Sequence, residues 1–154
     1  MNCVIILPDI RSVFNVGGIF RTADATGVDH IYMCGYTPTP LDRFGRKRKD
    51  FHKSALGAEE TVPWSQMDVL DAIKECKDGG YQIVAVEQSG TSQEYNTIEY
   101  TEKVALIFGN EVDGIPNNIC QLADVIAEIP MIGQKESLNI GVSAGVMLYH
   151  LTSR

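Results

Sequence analysis

What this sequence has least of narrows its chemistry first. Only four of its 154 residues are cysteine, Cys3, Cys34, Cys76 and Cys120, and they stand far apart, with no CxxC pair and no histidine at metal-ligand spacing. That scatter leaves a zinc site without support and makes four free, buried thiols the expectation. The three histidines, His30, His52 and His150, are as dispersed, and no Ser-His-Asp or Cys-His arrangement points to nucleophilic hydrolysis. No GxGxxG follows any strand-like run and the Walker A pattern is missing, so the glycine-based cradles for dinucleotides and nucleoside triphosphates have no support either. Positive charge is short: 13 Lys and Arg stand against 20 Asp and Glu, and a net charge of −7 argues against indiscriminate binding to nucleic acid. The most apolar stretch, near the C-terminus, is about 13 residues long where a bilayer needs about 20. The start, Met1-Asn2-Cys3-Val4-Ile5-Ile6-Leu7, lacks the basic region of a signal peptide, so a cytoplasmic location is expected.

What is present is a strand and helix alternation. At 44% hydrophobic residues, one domain over 1–154 with a single core is expected. Residues 3–7 form a short continuous apolar run ended by Pro8-Asp9, which reads as a strand buried on both faces. A helix then starts near Asn15 or Val16 and stops at Gly27, and 28–33 is a second strand. This β-α-β start predicts a parallel sheet. Further strands are read at 82–87, 103–108 and 125–129, with a short extended segment at 61–64. Helical spacing recurs at Met67, Leu70, Ile73 and Cys76, a short helix covers 117–123, and 88–100 reads as a loop.

Two stretches depart from this rhythm. Residues 35–57 form a long loop in this reading, and six of the thirteen basic residues fall there: Arg43, Arg46, Lys47, Arg48, Lys49 and Lys53. A charge run is ordinarily a solvated face. Phe44, Phe51 and His52 among these cations favour RNA, because aromatic rings stack on unpaired bases while cations hold phosphates. The second stretch, 128–151, reads as a strand end, a polar loop and an apolar helix, with Ser137 and Asn139 where loop becomes helix. A cap needs one such residue, and here there are two. The helix carries Ile140, Val142, Ala144, Val146, Met147, Leu148 and Leu151 on all its faces, flattened by Gly141, Ser143 and Gly145. Such a helix is buried, against the sheet and a second helix that another subunit can supply.

Three polar pairs lie at or just beyond strand C-termini: Asn15 with Arg21, Asn110 with Glu111, and Ser137 with Asn139. Each has a plainer reading on its own, as a surface ion-pair former, a turn residue or a cap. Ligands of open α/β sheets bind beyond the carboxyl ends of the strands, and there the three pairs would meet.

In order along the chain, Asn15-x-Gly17-x-x-x-Arg21-Thr22-Ala23, Ile107-Phe108-Gly109-Asn110-Glu111-x-x-Gly114 and Ile129-Pro130-Met131-x-Gly133-x-x-x-Ser137-Leu138-Asn139 resemble the three motifs of the SpoU (TrmH-type) RNA 2′-O-ribose methyltransferases of the SPOUT class. Lys53-Ser54-Ala55-Leu56-Gly57-Ala58 is similar to a stretch between the first two motifs. The resemblance implies a single α/β domain with a parallel sheet whose C-terminal part is threaded into a deep trefoil knot. It implies S-adenosylmethionine bound in the knot against Val86, Glu87, Gly109, Ile129, Met131 and Leu138, and a homodimer formed through the knot helices. Arg21 is implied to act at the ribose, in a site completed by the partner subunit, with Asn15, Glu111, Ser137 and Asn139 positioning it and the substrate. Of the two roles open to it, general base or clamp on the target phosphate, the chemistry of a guanidinium favours the clamp. No metal, membrane or separate RNA-binding domain is expected. RNA, tRNA ahead of rRNA, would then be captured by Arg43, Arg46, Lys47, Arg48, Lys49 and Lys53. A non-catalytic RNA-binding module on the same fold and a small-molecule α/β enzyme are the rival expectations. Val112-Asp113, Gly141 and Gly145 depart from the common pattern of these motifs without removing a proposed catalytic group.

Overall fold

A computed structural model describes all residues from 1 to 154. Its strands are β1 (Asn2–Pro8), β2 (His30–Cys34), β3 (Trp64–Gln66), β4 (Gln82–Val86), β5 (Gln93–Glu94), β6 (Lys103–Phe108) and β7 (Val125–Glu128). They form one sheet in the order β3-β2-β1-β6-β4-β7-β5, and every pairing is parallel. The helices are α1 (Val13–Thr26), α2 (Lys49–Ala55), α3 (Ala58–Thr61), α4 (Val69–Asp78), α5 (Asn117–Cys120) and α6 (Ile140–Thr152).

Alternation along the central strands explains why 3–7 is apolar throughout. Ile5 and Leu7 join a core with Val16, Phe20, Phe51 and Met147 of α1, α2 and α6, while Val4 and Ile6 join Ala72, Ile73 and Ile119 of α4 and α5 on the other face. Because all strands run the same way, the segments following β1, β4, β6 and β7 open along one edge of the sheet. β7 lies between β4 and β5, so the chain linking those two strands crosses beyond its end.

Several boundaries differ from the sequence reading, each for a local reason. α1 begins at Val13, because the Ser12 hydroxyl accepts the Asn15 N–H at 3.2 Å and caps the helix. Asn15 is therefore inside the first turn, with its side chain free for other work. Asp68 caps α4 in the same way, accepting from Leu70 N at 2.8 Å, so Met67 lies outside the helix. β3 forms at Trp64–Gln66, beside β2, rather than over 61–64. α5 stops at Cys120. Residues 88–100 are not wholly a loop: β5 and a 3-10 turn at Tyr95–Thr97 lie within them.

The largest correction concerns 35–57. Its second half is helical, and Phe51 is fully buried, edge-on to Phe20 with ring centroids 5.2 Å apart. Phe51 and Ala55, one turn apart, fasten α2 onto α1, so Phe51 is core and has no free face for a base. Gly17 allows the two helices to approach closely, since a Cβ there would lie 1.8 Å from Ser54 Oγ.

α6 buries Ile140, Ala144, Met147, Leu148 and Leu151 but leaves Val142 and Tyr149 52% and 56% exposed. The helix is thus covered on one side by its own chain, not all round. No helix is long and apolar enough to cross a membrane.

Candidate active site

One member of each polar pair, Asn15, Glu111 and Asn139, joins a chain of hydrogen bonds with a fixed direction. At one end Asn139 caps α6, its Oδ1 accepting from Gly141 N at 2.8 Å and Val142 N at 3.3 Å. Its oxygen being so occupied, its Nδ2 donates to Asn15 Oδ1 at 3.2 Å, and Asn15 Nδ2 donates at 3.5 Å to Glu111 Oε1. The Glu111 carboxylate also accepts from Arg11 N at 3.1 Å and Ser12 N at 3.2 Å. Burial pushes this carboxyl up, but the N–H groups of Arg11 and Ser12 and the Asn15 amide outweigh it and leave it below its ordinary value. Glu111 itself stands in a turn closed by Asn110 N to Gly114 O at 3.2 Å and the reverse bond at 3.0 Å. The Asn110 amide also donates to Asp9 O at 2.6 Å and to Tyr36 Oη at 3.0 Å, tying the turn to the end of β1.

Beside this chain lies a cavity of about 930 Å³, within the range of small-molecule and cofactor sites. Val86, Glu87, Gly109, Ile129, Met131 and Leu138 all line it, as do Asn15, Glu111, Ser137 and Asn139. Its wall holds four carboxylates, Glu87, Glu111, Asp113 and Glu136, and no Lys, Arg or His. Gly109 has no room for a side chain, because a Cβ would meet the Gly114 carbonyl carbon at 2.5 Å and Ile115 N at 2.6 Å. Glu87 closes the same turn by accepting from Ile115 N at 2.9 Å. A wall that mixes apolar side chains such as Val86, Ile129, Met131 and Leu138 with an excess of carboxylate suits a ligand with an apolar portion and net positive charge, which is the chemistry of S-adenosylmethionine with its sulfonium and ammonium groups.

Arg21 does not enter this cavity. It stands on the exposed side of α1 and lines a neighbouring cavity of about 530 Å³ with Lys53, Phe14, Val142 and Tyr149. That wall holds two cations and no carboxylate. Asn139 borders both cavities.

The six basic residues separate into two groups. Arg46 pairs with Asp42 at 3.5 Å, Lys47 with Glu60 at 2.9 Å and Arg48 with Asp50 at 2.7 Å. Arg43, Lys49 and Lys53 have no carboxylate within ion-pair distance. His52 is held by Glu59, with Nδ1 2.6 Å from its carboxylate. Phe14, 76% exposed, and Tyr36 were not anticipated in the site. Phe14 directly precedes Asn15 on a helix, and an aromatic at a solvent-facing helical position was the signal available.

A model of the SpoU rRNA Methylase family matches residues 2–149. The chain belongs to this family. It is 34% identical over 146 residues to the 23S rRNA (guanosine-2′-O-)-methyltransferase RlmB of Neisseria meningitidis, an overlap of 94% of this chain and 56% of that protein. It is 31% identical over 147 residues to the tRNA (guanosine(18)-2′-O)-methyltransferase of Aquifex aeolicus, covering 95% and 66%. The crystal structure of an AdoMet-bound rRNA methyltransferase from Sinorhizobium meliloti superposes with a TM-score of 0.88 at 30% identity, over 97% of this chain and 55% of that one. This SpoU chain therefore spans 56% and 66% of the length of those two curated relatives. No group of three or more His, Cys, Asp or Glu in this SpoU chain is placed to hold a metal ion.

Proposed function

We propose that this SpoU chain transfers a methyl group from S-adenosylmethionine to a ribose 2′-hydroxyl of RNA. The observation that carries this reading is the pair of adjoining cavities of opposite charge that meet at Asn139. The acidic one suits a cationic donor and the basic one a nucleic-acid phosphate. Glu87, Gly109, Ile129, Met131 and Leu138, with Val86, would hold the cofactor. Bound there, S-adenosylmethionine supplies an electrophilic methyl group.

The remaining work falls to the chain. A ribose hydroxyl is a weak nucleophile until its proton has an acceptor. A guanidinium offers five N–H donors and no acceptor, so Arg21 serves as a clamp rather than a base. With Lys53 it grips the target phosphate and turns the hydroxyl toward the donor, and the hydroxyl proton passes to a phosphate oxygen. Ser137 stands at the mouth of the acidic cavity as a further contact for the substrate. Asn15, Glu111 and Asn139 hold the start of α1 against the start of α6, so the two cavities keep their relative position.

A homodimer through α6 belongs to the same reading, supported by exposed Val142 and Tyr149 beside Phe14, with the partner completing the basic cavity. The expected knot is supported by the place of β7 between β4 and β5. Four free cysteines, three of them buried and Cys120 only half-buried where four buried thiols were expected, suit a cytoplasmic location. tRNA is the first RNA to test and rRNA the second, both being named among the relatives.

The decisive assay follows methyl incorporation from labelled S-adenosylmethionine into bulk RNA, with 2′-O-methyl sites mapped in RNA from cells with and without the protein. RNA binding without incorporation at saturating cofactor would overturn the enzyme reading in favour of a binding module. Arg21→Lys keeps the charge but not the two-pronged fork, and its turnover is expected to fall by about tenfold or more, the scale of one lost charge-assisted hydrogen bond. Turnover near wild type would sink the clamp.

A further inference from the structure

Residues 41–47, in the basic stretch, form a small closed hairpin. Leu41 bridges Lys47 in antiparallel fashion, Asp42 N donates to Arg46 O at 2.8 Å, and Gly45 N donates back to Asp42 O at 3.0 Å. The Asp42 carboxylate takes two more N–H groups, from Phe44 at 2.8 Å and Arg46 at 2.9 Å, and Gly45 completes the turn at φ +77°. Lys47 fastens the hairpin to α3 through Glu60. A tip held this firmly has little conformational freedom left to lose on binding.

The tip presents Phe44, 65% exposed. An isolated exposed phenylalanine needs no explanation. This one has two guanidinium groups over its ring, Arg43 Cζ at 4.8 Å and Arg46 Cζ at 4.9 Å from the centroid. Arg43 has no carboxylate partner, so the aromatic and cationic surfaces are presented together. Directly after the hairpin, Lys49 and Lys53 follow one helical turn apart on the exposed side of α2, and Lys53 lines the Arg21 cavity. A track of positive charge therefore leads from the tip to the basic cavity.

We infer that the 41–47 hairpin is a stacking finger: Phe44, with Arg43 and Arg46, takes an unpaired RNA base near the target nucleotide. A flat π-face flanked by phosphate is the ligand that both halves of the surface fit, whereas a paired base in an A-form stem hides its face in the stack. The finger thus selects RNA with an unpaired loop over a continuous duplex. The inference rests on the RNA reading given above.

The test measures fluorescence anisotropy of the whole protein with a labelled RNA stem carrying an unpaired loop, and with the same stem closed as a blunt duplex. Phe44→Ala and Phe44→Leu are each expected to weaken binding of the loop RNA by about tenfold, as loss of one stacked base does, while the duplex is unaffected and Phe44→Trp retains binding. Equal losses on both RNAs, unchanged binding of the loop RNA, or full rescue by leucine would overturn stacking, the last in favour of a merely apolar contact. A change in sedimentation of Phe44→Ala without RNA would overturn it in favour of a contact between copies. If the wild-type protein binds neither RNA, the RNA reading itself fails and the finger with it. If wild type and Phe44→Ala bind both alike, only the finger falls.

Discussion

Asn15 stands between two partners with opposite demands. Asn139, its oxygen taken by the helix N-terminus, offers an N–H, and Glu111 offers a carboxylate. A side chain that accepts on one side and donates on the other fits, and an amide of this length does both. Asn15→Asp replaces the donor facing Glu111 by a like charge, so stability at neutral pH is expected to fall by about 1–2 kcal/mol, read from denaturant midpoints, with a loss of turnover because the helix starts separate. Glu111 is also the residue for which pH matters. Its folded carboxyl lies below the ordinary 4.5, so its contribution is complete above that value and is lost as pH falls through the lowered one. The stability gap between wild type and Glu111→Gln is therefore expected at neutral pH and should close on acidification. A gap that widened in acid would contradict the hydrogen-bond pattern.

At the scale of elements, the contact of α1 with α2 decides whether Lys53 stands beside Arg21. Gly17 supplies that contact: an added Cβ would meet Ser54 Oγ at 1.8 Å, Ser54 Cβ, which no rotamer moves, at 2.8 Å, and Ala55 N at 3.1 Å. Gly17→Ala cannot be absorbed by a rotamer change alone. It is expected to cost about 1–3 kcal/mol by overpacking and to weaken RNA binding more than cofactor binding, because α2 carries Lys49 and Lys53 and borders only the basic cavity. Calorimetry with S-adenosylmethionine and with RNA separates the two effects. α2 is also where a sequence reading was most easily misled. Lys49, Asp50, His52 and Lys53 mask two apolar anchors, Phe51 and Ala55, and seven residues are too few for a helical period to stand out from a charge run.

For the whole molecule, the net charge of −7 is distributed rather than uniform. Four carboxylates line the cofactor cavity, and four of the nine Lys and Arg outside any ion pair, Arg21, Arg43, Lys49 and Lys53, stand on α1, α2 and the hairpin before α2. Lys47 and Arg48 already have carboxylate neighbours and lie outside the group around Phe44, so their neutralisation is expected to matter less than the sequence suggests. Lys49→Gln with Lys53→Gln should flatten the slope of log affinity for RNA against log salt by about 1.4, the scale of two phosphate contacts on a single strand. An unchanged slope would show that the phosphates lie elsewhere.

The sequence by itself determined the parallel α/β sheet and the convergence of Asn15, Glu111 and Asn139. Short β-branched runs bounded by turn residues read as strands of a sheet covered on both faces, and residues placed after such strands must share one edge once all of them run parallel. That is why Asn15, Glu111 and Asn139 were legible together although separated by 96 and 124 residues. Tertiary structure alone decided which groups are free to act. Whether Arg21 opens into the acidic cavity or the basic one, which of the six cations keeps its charge for a ligand, and whether Phe44 or Phe51 offers its ring to solvent all depend on through-space neighbours. Those neighbours are set by how α2 packs on α1 and by which carboxylates fold back beside them. Periodicity within one segment carries no record of a partner brought there by another.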